Sequence, residues 1–204
     1  MASFVTSWHR FNTVASSNDA NNSSNLIGTT EGTASLDEVS GASITLANPI
    51  IVDNSGTELS FSDEIPSNAI ITEYQVTSYV SSSNAVFGQE LDIIIKGTSI
   101  TTTTIIDDKN PLSILPYNVG YPIDGPSTTF NAISAGININ NIDNLNLEYN
   151  YDDPGPSGIW YFHSGDFSNP VPYPAVRFYY ELRPKVTITT SGKLSITQGK
   201  MHIV

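Results

Sequence analysis

Three histidines, four pairs of adjacent acids and a group of aromatic residues are the side chains in this sequence with chemistry to offer. His9, His163 and His202 show no HExxH or comparable ligand spacing, so a zinc centre is not expected. The acids fall at Asp37-Glu38, Asp63-Glu64, Asp107-Asp108 and Asp152-Asp153. A glycosidase needs two carboxylates facing one another across a sugar, whereas neighbours on a strand point to opposite faces, so these pairs read as solvated turns. No GxSxG elbow is present, and the serines lie in Ser/Thr/Asn tracts with the character of turns, which argues against an acyl-transfer triad. No enzyme is expected, and no cofactor. Calcium is the one cation with some support, because the loop DDPGPSG from Asp152 to Gly158 is rich in oxygen ligands, although it lacks EF-hand spacing.

Aromatic residues gather with proline around Pro116, Tyr117, Tyr121, Tyr151, Trp160, Tyr161, Phe167 and Tyr173. Exposed rings stack on sugars, so Tyr117, Tyr121, Trp160 and Tyr161 define an alternative function as a carbohydrate-binding or host-receptor-binding module for a surface glycan. The competing reading is that these large rings close the end of a β-sandwich.

Charge and composition narrow the partners. The net charge of −12 opposes attraction to nucleic acid or to an anionic membrane. Only 14% of residues are charged, and Ser, Thr, Asn and Ile are abundant, which favours strands over helix. Without cysteine there are no disulfides, so packing or assembly must supply the stability. The start MASFVTSWHRF has no apolar run of signal-peptide length, and no stretch reaches the roughly eighteen apolar residues of a membrane span. The expectation is a soluble protein made in a cytoplasm, without membrane insertion.

The elements that must position these side chains are short strands separated by turn signals. Residues 1–40 read as a loop-rich N-terminal segment that packs a few large side chains on the core. SITLANPIIV, Ser43 to Val52, reads as an edge or bulged strand because Pro49 cannot donate a ladder hydrogen bond. LSFS ends a strand, DEIPSNA makes a polar corner, and IITEYQVTSYV alternates as a half-buried strand. GQELDIIIKGTSITTTTII reads as a hairpin turning near Lys96-Gly97. Pro111, Pro116, Pro122 and Pro126 mark a long loop from Asp107 to Thr129. ININNIDNLNLEYNY, Ile137 to Tyr151, reads as a strand with a break near Asn140 to Asp143. IWYFH and AVRFYYEL are further strands, and KVTITTSGKLSIT carries a two-residue hairpin signal at Ser191-Gly192. Together these predict an all-β, antiparallel, jelly-roll-like β-sandwich over residues 41–183 with a C-terminal β-hairpin extension over 184–204.

The corner has a counterpart elsewhere. Leu59-Ser60-Phe61, Glu64-Ile65-Pro66-Ser67-Asn68-Ala69-Ile70-Ile71, Tyr74-Gln75-Val76 and Ala175-Val176-Arg177-Phe178-Tyr179-Tyr180-Glu181 resemble β-sandwich domains of tailed-bacteriophage virion structural proteins. Trp8 and Asn25-Leu26-Ile27-Gly28 with Glu31-Gly32 fit the opening of the same pattern. The resemblance spans Trp8 to Leu182. It departs at Glu73, where the pattern carries glycine, and in the loop from Asp107 to Thr129. It implies a virion setting, as a capsid decoration, neck or tail-fibre component that binds its own copies and other virion proteins, and it implies no catalytic residue.

Beyond the resemblance lies a basic tail. Arg177 to Val204 holds five basic residues against Glu181, a net +4, which leaves −16 for the rest. A lone hairpin is marginal in water, so it should dock on its own domain or on a neighbour. Arg183, Lys185, Val186, Ile188, Lys193, Leu194, Ile196, Lys200, Met201 and Ile203 are therefore the candidate homo-oligomer interface.

Overall fold

β-Branched and aromatic residues at alternating positions commit most of this chain to pleated structure. The computed structural model describes residues 3–27, 32–36, 41–82, 90–109, 121–123, 129–153, 159–165, 174–183, 186–188 and 194–196. In chain order the strands are β1 (Ser3–Val5), β2 (His9–Asn18), β3 (Ala20–Asn21), β4 (Gly32–Leu36), β5 (Ser43–Val52), β6 (Glu58–Leu59), β7 (Ala69–Ser82), β8 (Glu90–Gly97), β9 (Ile100–Lys109), β10 (Tyr121–Ile123), β11 (Phe130–Asn131), β12 (Leu145–Asp153), β13 (Trp160–Ser164), β14 (Ala175–Leu182), β15 (Val186–Ile188) and β16 (Leu194–Ile196), with one short helix α1 (Phe61–Glu64). Their ladders are antiparallel, and the fold is an all-β sandwich.

Fourteen strands share one hydrogen-bonded network ordered β3-β4-β13-β7-β14-β2-β5-β12-β8-β9, with β1, β10, β11 and β6 on its flanks. The 14-residue β7 is its spine. Residues 69–77 pair with β14, while Ser78 to Ser82 pair with β10 and β13. One strand therefore belongs to both layers. The layers meet where the Tyr149 ring of β12 lies 4.2 Å from the Phe162 ring of β13. The Tyr149 hydroxyl and Ser78 Oγ, both buried, are 2.7 Å apart, which satisfies the phenol inside the core. Burial pushes that phenol's pKa above the usual tyrosine value, although the Ser78 bond opposes the shift. Alternation predicts one wet face for β7, yet Gln75 and Thr77 on its polar side are also buried.

Four stretches differ from their sequence expectations. The N-terminal segment is not irregular throughout, since His9–Asn18 is a ten-residue strand paired with β5. β5 is not an edge strand over its first half, because β2 and β12 flank it; the β12 ladder stops at Ala47, Asn48 takes φ 53°, and Pro49 follows where no β12 donor is needed. The pattern Ile-Asn-Ile-Asn-Asn from Ile137 builds turns instead of a strand. There Asn138 and Asn141 accept the N–H groups of Asn140 and Asn138, and Asn141 Nδ2 donates to the Gly136 carbonyl, so the amides supply the turn and compete with pairing. The ladder begins only at Leu145.

The fourth is the corner. The strand stops at Leu59, and Phe61 to Glu64 form a helical turn. Both the N–H and the hydroxyl of Ser60 donate to Asp63 Oδ2, at 2.9 and 2.8 Å. Asp143 Oδ1 accepts the otherwise free N–H groups of Phe61 and Ser62 at 2.8 and 3.3 Å. The two bonds from Ser60 hold the Asp63 carboxyl below its usual pKa. Ser60→Ala is expected to cost about 1 kcal/mol, the usual worth of a helix-start hydroxyl, measured as a lower midpoint in urea unfolding. A midpoint equal to that of the parent would show that the Ser60 N–H bond to Asp63 and the Asp143 bonds hold the turn without the hydroxyl.

Candidate functional site

The corner residues also fix the point where the chain leaves the sandwich. The Arg183 N–H donates to the Asn68 carbonyl at 3.2 Å, and Asn68 Nδ2 donates back to the Arg183 carbonyl at 3.1 Å. This two-way clamp sets the root of the C-terminal segment. Beside it runs an open groove of roughly 350 Å³ lined by Ile70, Ile71, Ile133, Gly136, Ile137, Asn138 and Arg183. Ile133 is 61% exposed, an unusual position for an isoleucine. The turn that presents it is fixed by its own bonds. Asn131 Oδ1 accepts the Ser134 N–H, the Gly136 N–H donates to Ile133, and the Ile137 N–H donates to Ala132. Gly136 at φ 72° supplies the left-handed residue this turn requires.

Beyond the clamp, β15 and β16 form a two-stranded sheet of their own. Their register sets Val186 opposite Ile196, Thr187 opposite Ser195 and Ile188 opposite Leu194. In sequence both strands alternate aliphatic and hydroxyl residues, Val186, Ile188, Leu194 and Ile196 against Thr187 and Ser195. Among the candidate interface residues, Arg183 thus sits on the groove, and the aliphatic four fall together on the ribbon. Lys185, Lys193, Lys200, Met201 and Ile203 lie outside the described residues, as does most of the DDPGPSG loop. Among the described residues no group of three His, Cys, Asp or Glu side chains is placed to hold a metal.

Of the aromatic set, Trp160 and Tyr161 do not share one face. Trp160 is fully buried, and its indole N–H has no partner among the described residues. A buried ring cannot stack on a sugar. Tyr161 follows it on β13 and points to the opposite side, half-buried. Tyr121 is described only through its backbone pairing with Val80, and Tyr117 lies outside the described residues.

Two clusters were not foreseen from the sequence. His9 is wholly buried, with Nε2 2.8 Å from Glu64 Oε2. Glu64 Oε1 accepts the Ser7 N–H at 2.8 Å, and the Phe61 ring stacks on the imidazole with centroids 3.7 Å apart. Burial pushes the Glu64 pKa up, but the hydrogen bonds from His9 and Ser7 outweigh it and hold the carboxyl below the ordinary glutamate value. Glu64 is thus no solvated turn residue but fastens the corner to Ser7 and to His9 of β2, whereas Asp63 stays exposed and serves the turn through Ser60. Pairing across 55 positions leaves no local signal in the sequence.

In the second cluster the Arg177 guanidinium lies 4.5 Å from the Trp8 ring centroid and 5.6 Å from that of Tyr179. Its Nε donates to Gln75 Oε1 at 2.8 Å, Nη2 donates to the Tyr179 oxygen at 3.2 Å, and Gln75 Nε2 reaches Thr129 at 3.0 Å. These groups satisfy one another and bracket β7 to β14. The remaining described histidine, His163, sits directly opposite Thr33 on β4, with Nδ1 3.3 Å from Oγ1. That is the contact expected of cross-strand neighbours, and burial lowers the His163 pKa.

No protein-family model matches the chain, and no curated protein matches it. Among solved structures it is similar to the VP2 subviral particle of infectious bursal disease virus, at 14% identity and a TM-score of 0.36, covering 88% of this chain and 37% of that one. It is also similar to the structure of the Gt strain of that virus, at 13% identity and a TM-score of 0.38, over 88% of this chain and 36% of the other. The chain thus spans little more than a third of the length of those virus chains.

Proposed function

We propose that this chain is a non-enzymatic structural subunit of a virus particle that works by binding copies of itself and neighbouring particle proteins. The observation that carries the reading is the C-terminal ribbon: a separate two-stranded sheet beyond the Asn68–Arg183 clamp, with Val186 opposite Ile196 and Ile188 opposite Leu194. A two-stranded sheet is marginal in water unless something covers it. The pattern from Leu59 to Glu181 that resembles tailed-phage virion sandwiches supports a place in such a particle, as a decoration, neck or tail-fibre component.

Light scattering on the full chain and on a chain ending at Arg183 tests this. The full chain is expected to be an oligomer and the shortened one a monomer that melts like a folded sandwich. Equal masses for the two would remove the ribbon from assembly and the reading with it.

A further inference from the structure

We infer that the isoleucine groove beside Arg183 receives the C-terminal ribbon of a second copy of this chain, so that two copies exchange ribbons reciprocally. This rests on the self-association proposed above and names the surface that performs it.

The two halves of the contact match in kind. The ribbon carries Val186, Ile188, Leu194 and Ile196, paired in register as Val186 with Ile196 and Ile188 with Leu194. The groove offers Ile70, Ile71, Ile133 and Ile137. It also exists before any partner arrives, because the turn carrying Ile133 is fixed by the Asn131 and Gly136 bonds, and little ordering is left to oppose docking. Charge points the same way. Residues 184–204 contain Lys185, Lys193 and Lys200 and no acid, within a chain of net −12. A +3 segment is drawn to the acidic body of another copy.

The root geometry favours a second copy over the ribbon's own groove. Arg183 is clamped in the groove wall, and the first paired ribbon residue is Val186. Three residues span at most about 10 Å, and the proline at 184 biases Arg183 towards an extended backbone. Because the root and the groove are neighbours, a two-fold axis between two copies lets each give and receive a ribbon at one place, which is a closed, isologous contact.

The absence of native cysteine allows a direct test. Ile133→Cys and Leu194→Cys are made as separate single variants carrying tags of different mass, mixed, and oxidised. A covalent dimer containing one of each is expected, with neither single variant cross-linking comparably alone. A double Ile133→Cys/Leu194→Cys variant that closes its disulfide within one chain would overturn the inference, as would the absence of a mixed dimer. Ile133→Asp in the full chain gives a second readout. The variant should still melt cooperatively, as the chain ending at Arg183 does, while its mass falls to that of a monomer. If the shortened chain is a monomer but Ile133→Asp keeps the parent mass, the ribbon assembles elsewhere, so the groove assignment fails and the proposed function stands. If neither change alters the mass, both fail.

Discussion

Phe61→Ala is expected to destabilise the sandwich by about 3–5 kcal/mol, the usual cost of emptying a phenylalanine site in a core. Phe61 is fully buried at the first position of α1. Its ring stacks on His9 at 3.7 Å and meets the edge of Phe178 at 4.7 Å. Those contacts join the corner, β2 and β14, three pieces far apart in the chain. The site should collapse poorly, because the backbone on either side is held by Asp143 and by the Ser60–Asp63 bonds. For a domain whose whole stability is about 5–15 kcal/mol, the loss is a large fraction. Urea unfolding should show a much lower midpoint at an unchanged slope, and Phe61→Leu should recover part of it. A loss below about 1 kcal/mol would mean that the corner is held by its polar bonds and the ring is incidental.

The layout of strands was largely legible because it rests on local signals. IITEYQVTSYV, AVRFYYEL and IWYFH are strands by alternation, and the antiparallel register of β15 and β16 bears out a hairpin, although Ile188 opposite Leu194 is one residue off the register that a two-residue Ser191-Gly192 loop would set. The misreadings share one cause, in that a two-residue period is cheap to imitate. Leu59 and Phe61 alternate like strand residues, yet Ser60 and Asp63 stand at the spacing of a helix start, and that signal decides the structure. Ile137 and Ile139 alternate with asparagines whose amides prefer turns. The N-terminal strand was hidden for the opposite reason. The polar second half of HRFNTVASSN leaves little pattern, and its partner in β5 lies some thirty residues on. For the candidate site, the amphipathic ribbon was visible in the sequence. The groove was not, because Ile70, Ile133 and Arg183 converge only through the fold. The burial of Trp160 depends on its pairing with β4 and β7, which no window of sequence contains.

Glu64→Ala is expected to cost about 2–4 kcal/mol at neutral pH, because it strands His9 Nε2 and the Ser7 N–H together at the edge of the core. His9 Nδ1 already lacks a partner among the described residues, so the imidazole would keep little to offset its burial. Glu64→Gln retains the shape and one acceptor oxygen and should cost less. Its greater use is as a probe of pH. Although burial raises the Glu64 pKa, the bonds from His9 and Ser7 bring it below the ordinary glutamate value in the folded chain. The unfolded chain then binds the proton more readily, so this carboxylate contributes stability that is present above its unfolded pKa and lost as pH falls through the folded one. Glutamine cannot titrate and has no such loss. The gap in unfolding free energy between the parent and Glu64→Gln should therefore be widest near neutrality and narrow steadily in the acid range below the ordinary glutamate value. Denaturant melts at a series of pH values measure it. A gap that stays constant into acid would mean that the carboxylate holds His9 and Ser7 by shape alone, and that its charge adds nothing to fastening the corner onto the N-terminal strands.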